Sequence, residues 1–167
     1  SVAVADFNAD GLDDLVEYSI IGAAQGIRWR RNAGGGSFDA PVTLVTLTAS
    51  SDPPTVKAGD FTGDGRPDIL FSVAPASSVR LLVNQGGAVP SFVSRDSATG
   101  LSFVRGLGAG DFDGDGDLDF VAVNRSASSV SSSAGLTTFL NSGTGTFIRQ
   151  PGPLEWDHGS IQPRLGD

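Results

Sequence analysis

The 167-residue chain contains no cysteine, a single histidine and a single lysine. Without cysteine, disulfides are not its stabilising device, and thiols say nothing about its redox compartment. His158 has no nucleophile motif beside it and no phosphate-cradling loop occurs, so the chain reads as not an enzyme. No apolar stretch approaches the length of a membrane span, and nothing resembles a signal peptide. No window holds an apolar 3.6-residue period, which argues against helices. The ten arginines and the one lysine are scattered, with only Arg28, Arg30 and Arg31 clustered, so nucleic acid is not the expected partner. The chain opens on Ser1 rather than methionine, and is expected to be a processed or partial chain.

What it does have is one loop grammar written three times. Asp6-Phe7-Asn8-Ala9-Asp10-Gly11-Leu12-Asp13-Asp14, Asp60-Phe61-Thr62-Gly63-Asp64-Gly65-Arg66-Pro67-Asp68 and Asp111-Phe112-Asp113-Gly114-Asp115-Gly116-Asp117-Leu118-Asp119 start 54 and 51 residues apart. Side-chain oxygens stand at positions 1, 3, 5 and 9, and glycine stands at position 6. A period near 50 means repeat architecture, and oxygen at alternating positions of a tight loop means a hard cation.

The net charge of −8 belongs to these loops. Twelve of the nineteen acids lie inside them, and Asp167 opens what reads as a fourth copy. The six others face eleven basic residues, so the scaffold outside the loops is cationic. Alternate positions project to one side, which converges the oxygens of positions 1, 3 and 5 and frees Phe7, Phe61 and Phe112 for the core. The glycine at position 6 permits the conformation that folds the loop over an ion.

Three calcium sites are therefore expected. Asp6, Asn8, Asp10 and Asp14 would form one, Asp60, Thr62, Asp64 and Asp68 the second, and Asp111, Asp113, Asp115 and Asp119 the third. Position 7 (Leu12, Arg66, Asp117) would offer its carbonyl, which explains why its side chain varies so widely. An EF-hand is the rival pattern. Glu17 satisfies its twelfth position in the first copy, but Phe71 and Ala122 stand there in the others, and the flanks are strand-like.

Each repeat reads as four short strands. The first precedes the loop (Ser1–Ala5, Thr55–Gly59, Phe103–Gly110), and the second follows it (Leu15–Ile20, Ile69–Val73, Leu118–Val123). The third ends on asparagine (Gly26–Asn32, Val79–Asn84, Leu136–Asn141). After a Gly-rich turn (Ala33–Ser37, Gln85–Pro90, Ser142–Thr146), the fourth opens on Phe38, Phe92 or Phe147. Short strands punctuated by Gly, Asn, Asp and Ser mean an all-β fold. Four antiparallel strands in about 50 residues are a β-propeller blade. The expected units are blade 1 over residues 1–54, blade 2 over 55–104 and blade 3 over 105–163, with 164–167 beginning a fourth. One blade cannot bury both of its faces, so further blades, from a longer protein or from other chains, are expected to complete a ring.

At these residues the chain resembles the FG-GAP/VCBS repeat family, the calcium-binding propeller of integrin alpha chains among its members. The carrying motifs are Asp-Phe-x-x-Asp-Gly-x-x-Asp and the later Asn-x-Gly-(3 to 5)-Phe, which span essentially the whole chain. The resemblance implies calcium in the turn between the first two strands of each blade. It also implies ligands on the opposite rim, at the turns joining strand 2 to 3 and strand 4 to the next strand 1. Family rings are commonly seven-bladed.

Other features leave alternatives open. Trp29, between Arg28 and Arg30, is either a platform for a sugar or an inter-blade core residue, and its alternation with Ile27 and Arg31 favours the core. Trp156-Asp157-His158 lies in a link on the expected ligand rim, as a solvated loop or a binding cluster. The Ser-rich insertion Asn124–Ala134 is a binding loop or a tolerated insertion. A glycosidase pair would have to come from Glu17, Glu155, Asp39, Asp52, Asp96 or Asp157, and nothing marks two of them as partners. The expected function is an extracellular recognition module for a glycan or protein. The alternatives are a non-catalytic propeller portion of a larger secreted enzyme and a structural repeat of a surface assembly.

Overall fold

The computed structural model describes residues 1–48, 50, 52–73, 78–99, 101, 104–125, 134–151 and 154–155. Among them there is no helix. Three antiparallel sheets follow one another along the chain, each a meander in which sequential strands pair.

The first sheet contains β1 (Val2–Ala5), β2 (Asp14–Ile21), β3 (Ala24–Arg30) and β6 (Val42–Leu47). A small ribbon, β4 (Asn32–Gly34) with β5 (Ser37–Phe38), stands between its last two strands. The second sheet contains β7 (Val56–Gly59), β8 (Asp68–Val73), β9 (Ser78–Asn84) and β10 (Phe92–Ala98). The third contains β11 (Val104–Gly110), β12 (Asp119–Arg125), β13 (Ala134–Asn141) and β14 (Phe147–Arg149), with β15 (Leu154–Glu155) also paired to β13. The blade reading of the sequence holds.

One detail differs. Phe92 and Phe147 open their fourth strands, but Phe38 ends the ribbon and β6 begins only at Val42. Pro41 intervenes, and proline has no N–H to give a strand ladder.

The sheets stack face to face through two apolar clusters. Phe7, Val16, Ile27 and Trp29 of the first repeat pack on Val56, Ile69, Phe71 and Leu82 of the second. From the other face of the second sheet, Leu70, Val79, Leu81 and Val83 pack with Phe61 on Leu107, Phe120, Ala122 and Phe139. Residues 69–71 are all fully buried because alternate side chains serve opposite neighbours. The middle sheet has two dry faces, whereas Val2 and Val4 on the first and Val123 on the third face outward, exposed.

Candidate metal centres

The three Asp-rich loops join β1 to β2, β7 to β8 and β11 to β12, at one rim of the stack. Each is folded by its own backbone N–H groups. Position 1 takes two or three of them: Asp6 accepts from Asp10 N (3.1 Å) and Gly11 N (2.8 Å), and Asp60 from Thr62 N (3.2 Å), Asp64 N (3.1 Å) and Gly65 N (2.7 Å). Asp111 accepts from Gly114 N (2.7 Å) and Gly116 N (3.1 Å). Position 5 takes the N–H two residues on, so Asp10, Asp64 and Asp115 accept from Leu12, Arg66 and Asp117 at 3.0, 3.0 and 2.9 Å. These bonds require a left-handed backbone at positions 4 and 6. Gly63 and Gly114 supply it at position 4, while in the first loop Ala9 sits there at φ 58°.

Position 9 lies beneath the loop. Asp14, Asp68 and Asp119 are fully buried, and each bonds the backbone N–H of the asparagine that ends the third-strand run: Asn32 at 2.8 Å, Asn84 at 2.8 Å and Asn141 at 2.7 Å. The second oxygen of Asp68 and Asp119 takes the N–H of Phe61 (3.1 Å) and Phe112 (2.8 Å). In the first repeat Asp14 takes the indole N–H of Trp29 at 2.9 Å instead. The residue read from sequence as the closing ligand is therefore also the tie between loop and sheet. Burial raises the pKa of Asp68, against hydrogen bonds from Asn84, Thr62 and Phe61 that lower it.

The loops differ in counter-charge. Asp10 bonds the Asn8 amide at 3.0 Å and the Arg31 guanidinium at 3.2 Å, and its pKa is lowered by these partners, Asn8 first. Asp64 is ion-paired with Arg66, whose Nε also donates to the Asn84 carbonyl at 3.0 Å. Thr62 does not point away from its own loop: its hydroxyl donates to Asp68 at 3.2 Å. The third loop has no such arginine among the described residues. Asp111, Asp113 and Asp115, all exposed, bring one oxygen each within 4.8 Å of one another. The pKa of Asp113 is raised, first by loss of solvation and then by the charges of Asp115, Asp119 and Asp111.

An oxygen-only set of carboxylate, amide and hydroxyl donors in a preformed loop fits a hard divalent cation. Asp13, Leu12 and Asp117 line the loop exteriors, with Asp117 packed towards the hairpin glycine Gly143. The alternation argument for position 2 holds for Phe7 and Phe61, which are 2% and 0% exposed, but not for Phe112, which is 50% exposed. No described sheet follows the third to cover it.

Trp29 is 3% exposed inside the first inter-sheet cluster, so it is a core residue and not a platform. A cleft of about 490 Å³ opens above it on the loop rim, bordered by Asn8, Asp10, Arg31, Asp39, Val42 and Val89. Trp156, Asp157 and His158, the insertion at 126–133 and the fourth-copy segment 164–167 lie outside the described residues.

Sequence reasoning missed two sets of functional side chains. Asn84 and Asn141 each reach back to the preceding loop, donating to the Phe7 carbonyl at 2.9 Å and the Phe61 carbonyl at 2.8 Å. Their recurrence before a Gly-rich turn was the available signal. The Arg66 partner of Asp64 stands at position 7 of its own loop, whereas the Arg31 partner of Asp10 comes from outside the loop motif and left no signal.

Residues 6–71, which include the first two loops, match the FG-GAP-like repeat model. No curated protein matches the chain. Among solved structures the chain is similar to an Agrocybe aegerita lectin, described as specifically recognising non-reducing terminal N-acetylglucosamine, with TM-score 0.60 and 18% identity. That alignment covers 93% of this chain and 37% of the lectin, so the chain spans well under half of that protein. A second match, to the Photorhabdus luminescens Tc holotoxin pore, has TM-score 0.49 and 23% identity over 94% of this chain and 7% of that one. The lectin likeness shows the fold: this is a β-propeller module.

Proposed function

We propose that the chain is a calcium-stabilised, non-catalytic propeller segment of an extracellular recognition protein. The observation that carries this reading is the convergence of Asp111, Asp113 and Asp115 oxygens within 4.8 Å, in a loop whose fold is repeated twice more. Carboxylates this close repel one another unless a cation or a proton intervenes. Calcium would be held by Asp111, Asp113, Asp115 and Asp119 with the Asp117 carbonyl. In the first loop Asp6, Asn8, Asp10 and Asp14 with the Leu12 carbonyl would hold it, and in the second Asp60, Thr62, Asp64 and Asp68 with the Arg66 carbonyl. Weak extracellular sites of this kind bind at roughly 10⁻⁴–10⁻³ M, which suits the calcium level outside cells.

The ligand would be a glycan or a protein at the rim opposite the loops. The fold shared with a lectin for terminal N-acetylglucosamine makes saccharides the first class to try. Calorimetric titration of the full chain, stripped with chelator, should give three calcium-binding events and a rise in melting temperature, with magnesium much weaker. Absence of both heat and stabilisation at millimolar calcium would overturn the ion assignment. A glycan array that includes terminal N-acetylglucosamine tests the ligand class separately, and a blank array on calcium-loaded protein would remove it.

A further inference from the structure

Four Asp-Gly bonds occur in the chain, Asp10-Gly11, Asp64-Gly65, Asp113-Gly114 and Asp115-Gly116, and all lie in the three loops. Glycine leaves its main-chain nitrogen open to approach, because it has no Cβ. That nitrogen can close on the Cγ of the aspartate before it. A Cγ–O bond then breaks, and the oxygen leaves as water with the amide proton and one from solvent. Water adds back at the aspartate's own main-chain carbonyl, and the bond from that carbonyl to nitrogen breaks. The chain now runs through the side-chain carbonyl as isoaspartate. It has gained one backbone methylene and kept its charge, and water is the sole co-reactant.

In the folded loops both reacting groups are held. Every attacking N–H is already donated to position 1: Gly11 to Asp6 at 2.8 Å, Gly65 to Asp60 at 2.7 Å, and Gly114 and Gly116 to Asp111 at 2.7 and 3.1 Å. The carboxylates under attack are turned forward, each accepting the N–H two residues on. Asp10, Asp64 and Asp115 do so at 3.0, 3.0 and 2.9 Å, and Asp113 accepts from Asp115 at 3.2 Å. The third loop differs in its load. Asp111 holds both of its glycine nitrogens, one on each oxygen, whereas Asp6 and Asp60 hold one apiece. It is also the loop in which Asp111, Asp113 and Asp115, all exposed, crowd within 4.8 Å, so like charges push it open.

We propose that Asp113-Gly114 and Asp115-Gly116 are a site of isoaspartate modification, guarded by Asp111 alone and uncovered when the third loop opens. Opening of one loop is local, so conversion needs no global unfolding. The added methylene displaces Asp117 and Asp119 relative to Asp111, and the loop oxygens no longer converge afterwards. That a bound calcium ion delays conversion rests on the ion reading above, whereas the guard does not.

The test is warm incubation of the full chain at neutral pH, then digestion and separation of aspartyl from isoaspartyl peptides at each of the four bonds. In chelator, conversion at Asp113 and Asp115 should run ahead of Asp10 and Asp64, and calcium should slow it. Still in chelator, Asp111→Ala should speed conversion at Asp113 and Asp115 by about tenfold, through loss of two hydrogen bonds, and leave Asp10 and Asp64 unchanged. Asp60→Ala should speed Asp64 alone. Asp111→Asn, which keeps one acceptor oxygen, should speed one of the two third-loop bonds and spare the other. Circular dichroism checks that each variant is folded. Conversion at Asp113 and Asp115 no faster than at Asp10 and Asp64 would overturn the proposal, as would an unchanged rate in folded Asp111→Ala. A rise at all four bonds in that variant would overturn it too, since it reports general unfolding. Acceleration by Asp111→Ala with no effect of calcium would uphold the guard and remove the ion from the third loop.

Discussion

The second and third loops share a backbone path and a buried anchor but neutralise their carboxylates in opposite ways. In the second, Arg66 pairs with Asp64 and Thr62 turns its hydroxyl onto Asp68, so the loop satisfies much of its own charge. In the third, aspartates stand at positions 3 and 7, and Asp111, Asp113 and Asp115 face one another without a basic partner among the described residues. A loop that is content alone gains less from an ion than one that is not. The same motif therefore leaves its carboxylates largely answered within the loop at one site and facing one another at the next.

The largest effect should appear where the two loops agree. Asp68→Ala strands two buried N–H groups, and Asp119→Ala one buried and one part-buried, at a cost of about 1–3 kcal/mol per buried group. Urea unfolding at saturating calcium should show a loss of about 3 kcal/mol or more for either. A loss below about 1 kcal/mol would mean that the anchor is dispensable.

The next effect separates the loops. Asp113→Ala should weaken the tightest calcium event in calorimetry by about tenfold or more, because ligand charge sets affinity. The equivalent Thr62→Ala should change the weakest event only a few-fold. Equal effects would erase the distinction. Arg66→Ala sharpens it in the other direction: freeing Asp64 should raise second-loop affinity by about two- to fivefold, since an exposed ion pair contributes little but competes directly for the carboxylate. Unchanged affinity would show that the pair opens at no cost. Hydrogen exchange during calcium removal should find Asp60–Asp68 and Asp111–Asp119 responding unequally, with the order of affinity third, first, second.

The smallest effect concerns the first loop, where Ala9 holds a left-handed backbone that its counterparts give to glycine. Ala9→Gly relieves about 1–2 kcal/mol of strain and returns part of that to the unfolded chain, for a net gain of about 0.5 kcal/mol. A destabilised variant would show that the alanine methyl contributes packing.

Much of this was legible in the sequence because a period repeats its own evidence. Three copies placed the loops between the first and second strands and marked Asp14, Asp68 and Asp119 as special. What could not be read was direction. A buried carboxylate and an ion ligand have the same letter, and only the geometry assigns the Asp119 oxygens to the N–H groups of Phe112 and Asn141. Alternation at position 2 points Phe112 towards a core as it does Phe7 and Phe61, but its burial depends on a neighbouring sheet, which no residue within the motif encodes. The late start of β6 follows from Pro41, which has no N–H to give the ladder and lies outside the repeated Phe38 pattern. The pairing of Arg31 and Arg66 with loop acids depends on side-chain reach, and neither position carries a repeated residue.

The asparagine that ends the third-strand run also imposes an order on folding. The backbone N–H of Asn141 is fixed by Asp119 within its own repeat, 22 positions away, while its side chain reaches a carbonyl 80 positions back. The local bond closes a small loop in the chain and the distant one a large loop, so the entropic cost favours completing a blade before docking it. A docked blade then holds its predecessor through Asn84 or Asn141, which couples neighbours as links in a one-dimensional chain. Unfolding should accordingly start at the outer sheets, whose faces lack a neighbour among the described residues, and reach the second sheet last.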